Sequence, residues 1–171
     1  NIEANIIACI FKDPDLISDI NFTSQSFKTK DARFLFSLAN KLKEKNATVF
    51  DEVTILSNFK DDVIEKFQEL GGYKALSNLI DVVNLDNYDF YADEFAKSET
   101  ILRLYDLGFN LFNEIKVGKS MRRPIDIFKD LSAQEVLSFY EMQLSGIDIS
   151  TVSHDVLDEC TIEMSDDIIE E

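Results

Sequence analysis

The residues best placed to do chemistry are Gly118, Lys119 and Ser120. A Gly-Lys-Ser triplet ends the phosphate-binding loop of nucleotide hydrolases, where backbone amides wrap the phosphates, the lysine reaches them and the hydroxyl holds magnesium. That loop also needs a glycine five residues earlier, and Asn113 occupies the place. It runs from a strand into a helix, whereas here an apolar helical pattern precedes the triplet and Pro124 follows it. The spacing therefore predicts a glycine helix cap followed by a basic turn. Lys116, Lys119, Arg122 and Arg123 on that turn are the candidates for contact with a partner or with DNA.

The other reactive side chains do not assemble. His154 is the sole histidine, so neither a histidine-based metal cluster nor a Ser-His-Asp triad is expected. Cys9 lies in an apolar helix and Cys160 in an acidic segment, with none of the spacing of a disulfide framework or a metal clip, as suits a reducing compartment. The pairs Asp166-Asp167 and Glu170-Glu171 lack the glycine and ligand alternation of a calcium loop and read as solvated charge. No catalytic, metal or cofactor site is expected.

With 5 Gly and 2 Pro in 171 residues, the chain lacks the turn chemistry that a β-sandwich or barrel requires, so an all-α fold is expected. The net charge of −16 opposes binding to phosphate backbones and to anionic membranes. The charge is unevenly spread. Residues 147–171 hold nine acidic and no basic side chains, which leaves 24 acidic and 17 basic, a net −7, in the rest. No leader-like segment and no apolar run long enough for a membrane span is present in the sequence. The start at Asn1 and the charged finish predict a piece of something longer.

Residues 2–11 carry Ile2, Ile6 and Ile10 on one stripe, with Ile7 and Phe11 beside it, the period of a buried helical face. Asp13-Pro14 stops that helix and starts a short second one, and Phe22 and Phe27 anchor the connector that follows. Residues 30–45 are amphipathic and closed by Asn46; Asp51 caps a helix to Phe59; Asp61 or Asp62 opens another, which Gly71-Gly72 ends. Tyr73–Val83 completes six short helices, a globular head over 1–84. From Asp86 to Val117 an apolar stripe continues without proline, which predicts one helix of roughly 45 Å. Ser132-Ala-Gln-Glu135 is a capping box whose helix buries Val136, Leu137, Tyr140 and Leu144. These two helices are expected to form a long antiparallel hairpin over 85–146, followed by an acidic linker over 147–171.

In this order the segments resemble the N-terminal domain of DnaB-type replicative helicases. The similarity rests on Glu3-Ala-Asn-Ile-Ile-Ala-Cys-Ile-Phe-Lys-Asp13-Pro14, on Phe27 with Asp31-Ala-Arg33-Phe-Leu-Phe36, and on Asp51-Glu-Val-Thr54. It continues through Glu69-Leu-Gly71-Gly72-Tyr73-Lys-Ala-Leu76, Asn87-Tyr88, Tyr91, Leu102-Arg103 and Ser132-Ala-Gln-Glu135. Cys9 with its bulky neighbours and Asp31-Ala32 depart from the family pattern, and the richness in Ile, Asn, Lys and Phe fits a divergent bacteriophage member or an AT-rich bacterium.

The resemblance implies a non-catalytic collar domain that dimerises as a fragment, sits in a hexameric ring in the parent and binds primase or a helicase loader in the bacterial cytoplasm. It implies that ATP and magnesium belong to a separate motor domain beyond the linker. Leu102, Tyr105, Phe109, Phe112, Val136, Phe139 and Tyr140 are the residues expected to mediate self-association. The rival expectation is a stand-alone phage adaptor, either a helicase loader or an inhibitor of a host replication protein.

Overall fold

A computed structural model describes residues 1–146. The expected acidic linker, His154, Cys160 and the acidic pairs near the C-terminus lie outside the described residues.

The chain is helical as its composition requires, and most helix ends are set by local chemistry. Helix α1 (Ile2–Lys12) is followed by the 3₁₀ segment Pro14–Asp19, where Asp13 caps the Asp15 amide at 3.2 Å and proline sits in the first turn. Helix α2 (Lys30–Glu44) starts at Thr29, whose hydroxyl accepts from the Ala32 amide, and ends before Asn46, which takes φ 62°. Helices α3 (Glu52–Asn58), α4 (Asp61–Glu69) and α5 (Gly72–Val82) follow. Asp51 accepts from the Thr54 amide at 2.9 Å, and those hydrogen bonds hold its carboxyl below the usual carboxylate range. Gly71, at φ 98°, makes the reversal between α4 and α5 that an L side chain would resist.

The main core gathers Ile6, Ile10, Phe27, Phe36, Leu42, Phe50 and Phe67 around α1. Glu3, itself buried, pins the connector to α1: its carboxylate accepts from the Lys28 amide at 2.6 Å and the Thr29 hydroxyl at 3.0 Å. Both connector phenylalanines reach the next helix, with Phe22 and Phe27 ring centroids 4.7 and 4.9 Å from that of Phe95. A smaller cluster sets Cys9 against Val83 and, at its edge, Tyr88. Burial pushes the Cys9 thiol up and the Tyr88 hydroxyl up to about 12, so both stay neutral and unreactive near neutral pH.

Helix α6 (Tyr88–Asp106) is 19 residues long, about 28 Å. The continuous helix expected to Val117 is therefore cut short. The cause is Gly108 at φ 88°: its amide donates to Tyr105 O and that of Phe109 to Leu104 O, a Schellman ending with Phe109 folded back on Leu104. Residues expected to extend the helix instead form strands β1 (Ile115–Val117) and β2 (Ser120–Arg122), paired antiparallel with Val117 opposite Ser120. Gly118 is thus not a helix cap. It opens a two-residue turn at φ 62°, the positive value a type II′ hairpin turn needs at its first position.

After a short helix α7 (Pro124–Ile127) the chain descends to α8 (Ala133–Ser145). The Ser132/Glu135 capping box is formed, with Ser132 Oγ accepting at 3.2 Å and the Glu135 carboxylate at 2.7 Å. Ser132→Ala should cost about 1 kcal/mol, the usual worth of an N-cap. Chemical denaturation of Ser132→Ala, Glu135→Ala and the double variant should show coupling between the two sites. Strict additivity would mean that the box has no energetic role.

Helices α6 and α8 pack lengthwise, but not in the antiparallel sense expected from the sequence. The Ala133 amide at the start of α8 donates to Asp93 in the first half of α6, while Tyr140 donates to Asn110 O beyond the C-terminal end of α6. The two helices therefore run in the same direction, and residues 107–132 serve as the return path. This pairing buries Val136 completely with Leu104, Leu111 and Phe128. Leu137 and Leu144, expected inside, are exposed, as is Leu79 on α5.

Candidate interaction surfaces

The residues singled out for self-association divide into two groups. Phe109, Val136, Phe139 and Tyr140 pack within the chain around Phe128, where Phe109 and Tyr140 meet edge to face at 4.7 Å and Phe128 and Phe139 at 5.4 Å. Val136 is fully buried, and the three rings are partly buried between α6, the return path and α8. Burial also raises the Tyr140 hydroxyl, which donates to Asn110 O at 2.9 Å.

Leu102, Tyr105 and Phe112 are open. Tyr105 and Phe112 are each 56% exposed and form an edge-to-face pair 5.9 Å apart, although Gly108 lies between them. The turn at Gly108 brings Phe112 back beside the last turn of α6. Leu102 is one helical turn before Tyr105 and so continues the same patch. It also borders a cleft of about 560 Å³ between α6, the start of α1 and the connector, floored by Phe27 and Phe95 and rimmed by Arg33, Glu99 and Arg103. Beyond Arg103, which borders both, Leu107 and Leu137 stand exposed around a second cleft of about 440 Å³. The sequence pattern predicts neither as a surface leucine, since it runs Leu107 into a continuing helix and places Leu137 in the core.

The four basic residues of the turn all lie on the β1–β2 hairpin or at its foot, and all are exposed. Arg123 is engaged: its guanidinium makes a two-pronged contact with Asp126 at 2.7 and 3.1 Å, which lowers the Asp126 carboxyl together with Lys129. Lys116, Lys119 and Arg122 have no ion-pair partner among the described residues. The hairpin is fixed at its foot by the Ile125 amide donating to Leu111 O at 2.9 Å, with Leu111 buried beneath it.

One lysine of α6 is buried rather than solvated. Lys97 is buried on α6, with its ammonium 2.9 Å from Leu131 O, 3.4 Å from Lys129 O and 3.0 Å from Glu94. It ties the descending chain to α6 just before α8 begins. Among the described residues no three His, Cys, Asp or Glu side chains gather closely enough to hold a metal ion, and no helix is long and apolar enough to cross a membrane.

Residues 1–97 match the family described as DnaB-like helicase N terminal domain. No curated protein matches the chain.

Proposed function

The chain belongs to the family of DnaB-like helicase N-terminal domains, and from that premise we propose that it is the non-catalytic collar of a replicative DNA helicase. In this role it joins copies of itself through the outer side of the α6/α8 layer and offers its clefts to a primase or a helicase loader, while ATP and magnesium act in a separate motor domain. The fragment pairs as a dimer and the parent assembles as a hexamer. The observation that carries the reading is the open patch Leu102–Tyr105–Phe112, which lies next to an intact core that does not use it.

An exposed aromatic pair of this kind gains by burial, at about 25 cal/mol per Å², although association entropy takes back much of the gain. A two-fold axis through the patch would cover it with the same residues from a second copy. The family assignment covers α1 to the middle of α6, so the patch lies just beyond the matched residues.

The test uses surface variants. Phe109→Glu is unsuitable, because Phe109 packs inside the chain and a charge there would disrupt the layer itself. Tyr105→Ser with Phe112→Ser should weaken self-association at least tenfold, equivalent to about 1.4 kcal/mol, with unchanged circular dichroism. Sedimentation equilibrium reads this directly. A wild-type chain that stays monomeric at hundreds of micromolar, or a variant that associates equally well, would remove the self-association role from this patch.

A further inference from the structure

The β1–β2 hairpin is a local reversal of sign. It presents Lys116, Lys119 and Arg122, all exposed and none ion-paired among the described residues, on a chain of net charge −16. Lys116 shares a face with Met121, itself 57% exposed, so the surface mixes cations with an apolar side chain. Two strands of three residues have little stability of their own. The hairpin therefore has reason to be covered.

The complement is in the same chain. Residues 147–171 hold nine acidic and no basic side chains, interleaved with aliphatic ones as in Asp155-Val-Leu-Asp158. Tertiary structure carries α8 past the C-terminal end of α6, the side from which the hairpin arises. Because α8 runs in the same direction as α6, Tyr140 contacts Phe109 and Asn110, and the Asn110 side chain in turn bonds the backbone of Asn113 at the foot of the hairpin. From Tyr140 to Ser145 the helix advances about 7.5 Å more. Each further residue can span at most about 3.3–3.6 Å, so a segment running from 147 to 171 has ample length to bring carboxylates alongside Lys116 and Arg122.

We propose that residues 147–171 dock on the β1–β2 hairpin of their own chain and shield it from phosphate-bearing partners. Tethering places the acidic groups at an effective concentration in the millimolar range. The attraction is between solvent-exposed charges, so it weakens as salt shortens the screening length from about 30 Å at 0.01 M to about 3 Å at 1 M. The proposal rests on these charges and on where α8 ends, not on the collar role, so either can fail without the other.

A nitroxide on Cys160 of the full chain tests it, since Cys9 is fully buried in the core. At low salt the amide resonances of residues 115–122 should lose intensity relative to the reduced, diamagnetic sample. The loss should fall several-fold in high salt, and also in the variant Lys116→Glu, Lys119→Glu, Arg122→Glu. Hairpin intensities that are equal in both states, or a loss indifferent to salt, would overturn the docking. Loss appearing only when spin-labelled chains are mixed with unlabelled isotope-enriched ones would overturn docking within one chain.

The shielding is read separately with a full-length variant whose Asp and Glu residues in 147–171 are changed to Asn and Gln. Its affinity for a fluorescent single-stranded oligonucleotide at about 50 mM salt should rise about tenfold over the unmodified chain. An unchanged affinity would overturn the shielding.

Discussion

Replacing Lys97 with alanine should lower the stability of the α6/α8 layer by about 2–4 kcal/mol, more than a surface lysine ordinarily contributes. The ammonium is hydrogen-bonded to two partly buried carbonyls of the return path, Leu131 O and Lys129 O. Truncation leaves these acceptors unsatisfied, and each unsatisfied buried polar group costs roughly 1–3 kcal/mol. The Glu94 ion pair adds less, because that carboxylate is 30% exposed and solvent screens it. Lys97→Met keeps the aliphatic stem and isolates the charge, so it should lose nearly as much. Urea titrations followed by circular dichroism measure the loss. Lys129→Ala, at a lysine whose side chain is 73% exposed, is the matched control and should stay within about 0.5 kcal/mol of wild type. Equal effects at the two lysines would show that Lys97 is an ordinary surface residue.

Phe128→Ala should cost about 3–5 kcal/mol, because it empties the centre of the second core. The ring is 1% exposed and packs edge to face against Phe139 and Tyr140 at 5.4 and 5.8 Å, with Leu104, Leu111 and Val136 around it. The loss should be local. Phe128 belongs to a cluster distinct from the one that surrounds α1, so amide hydrogen exchange should accelerate by about 10² or more in α8 and in 107–132 while α1 and α2 stay protected. Equal acceleration in α1 and α8 would mean that the two clusters unfold as one unit, and the patch at Tyr105 and Phe112 could not then be perturbed without disturbing the head.

Both expectations concern the part of the chain where sequence and structure diverge, and the divergence has an identifiable origin. Gly108 interrupts an apolar stripe that otherwise continues at helical spacing through Phe109 and Phe112. A lone glycine inside such a pattern costs only about 1 kcal/mol if the helix continues, so periodicity alone favours continuation. The available signal was the apolar Phe109 after that glycine, which completes a Schellman ending against Leu104. Once the helix stops there, Phe112 comes back beside Tyr105, and Gly118 becomes a hairpin turn rather than a cap.

The amino-acid sequence by itself determined the helical class, the short helices of the first 84 residues and nearly all of their ends. Those features, and the start of α8, depend on residues within four positions of one another: Asp51 with the Thr54 amide, Ser132 with Glu135, the reversals at Asn46 and Gly71, and the stripe that buries Ile6 and Ile10. Tertiary structure alone decided the direction of α8, the burial of Lys97 and the separation of Tyr105 and Phe112 from the core residues Phe109 and Tyr140. Each of these depends on partners some 30 to 40 residues away, such as Lys97 with Leu131 O, Tyr140 with Asn110 O or Ala133 with Asp93. A local pattern carries no information about which distant carbonyl will need a donor. The acceptors that make Lys97 a buried residue exist only after the return path has brought them to α6.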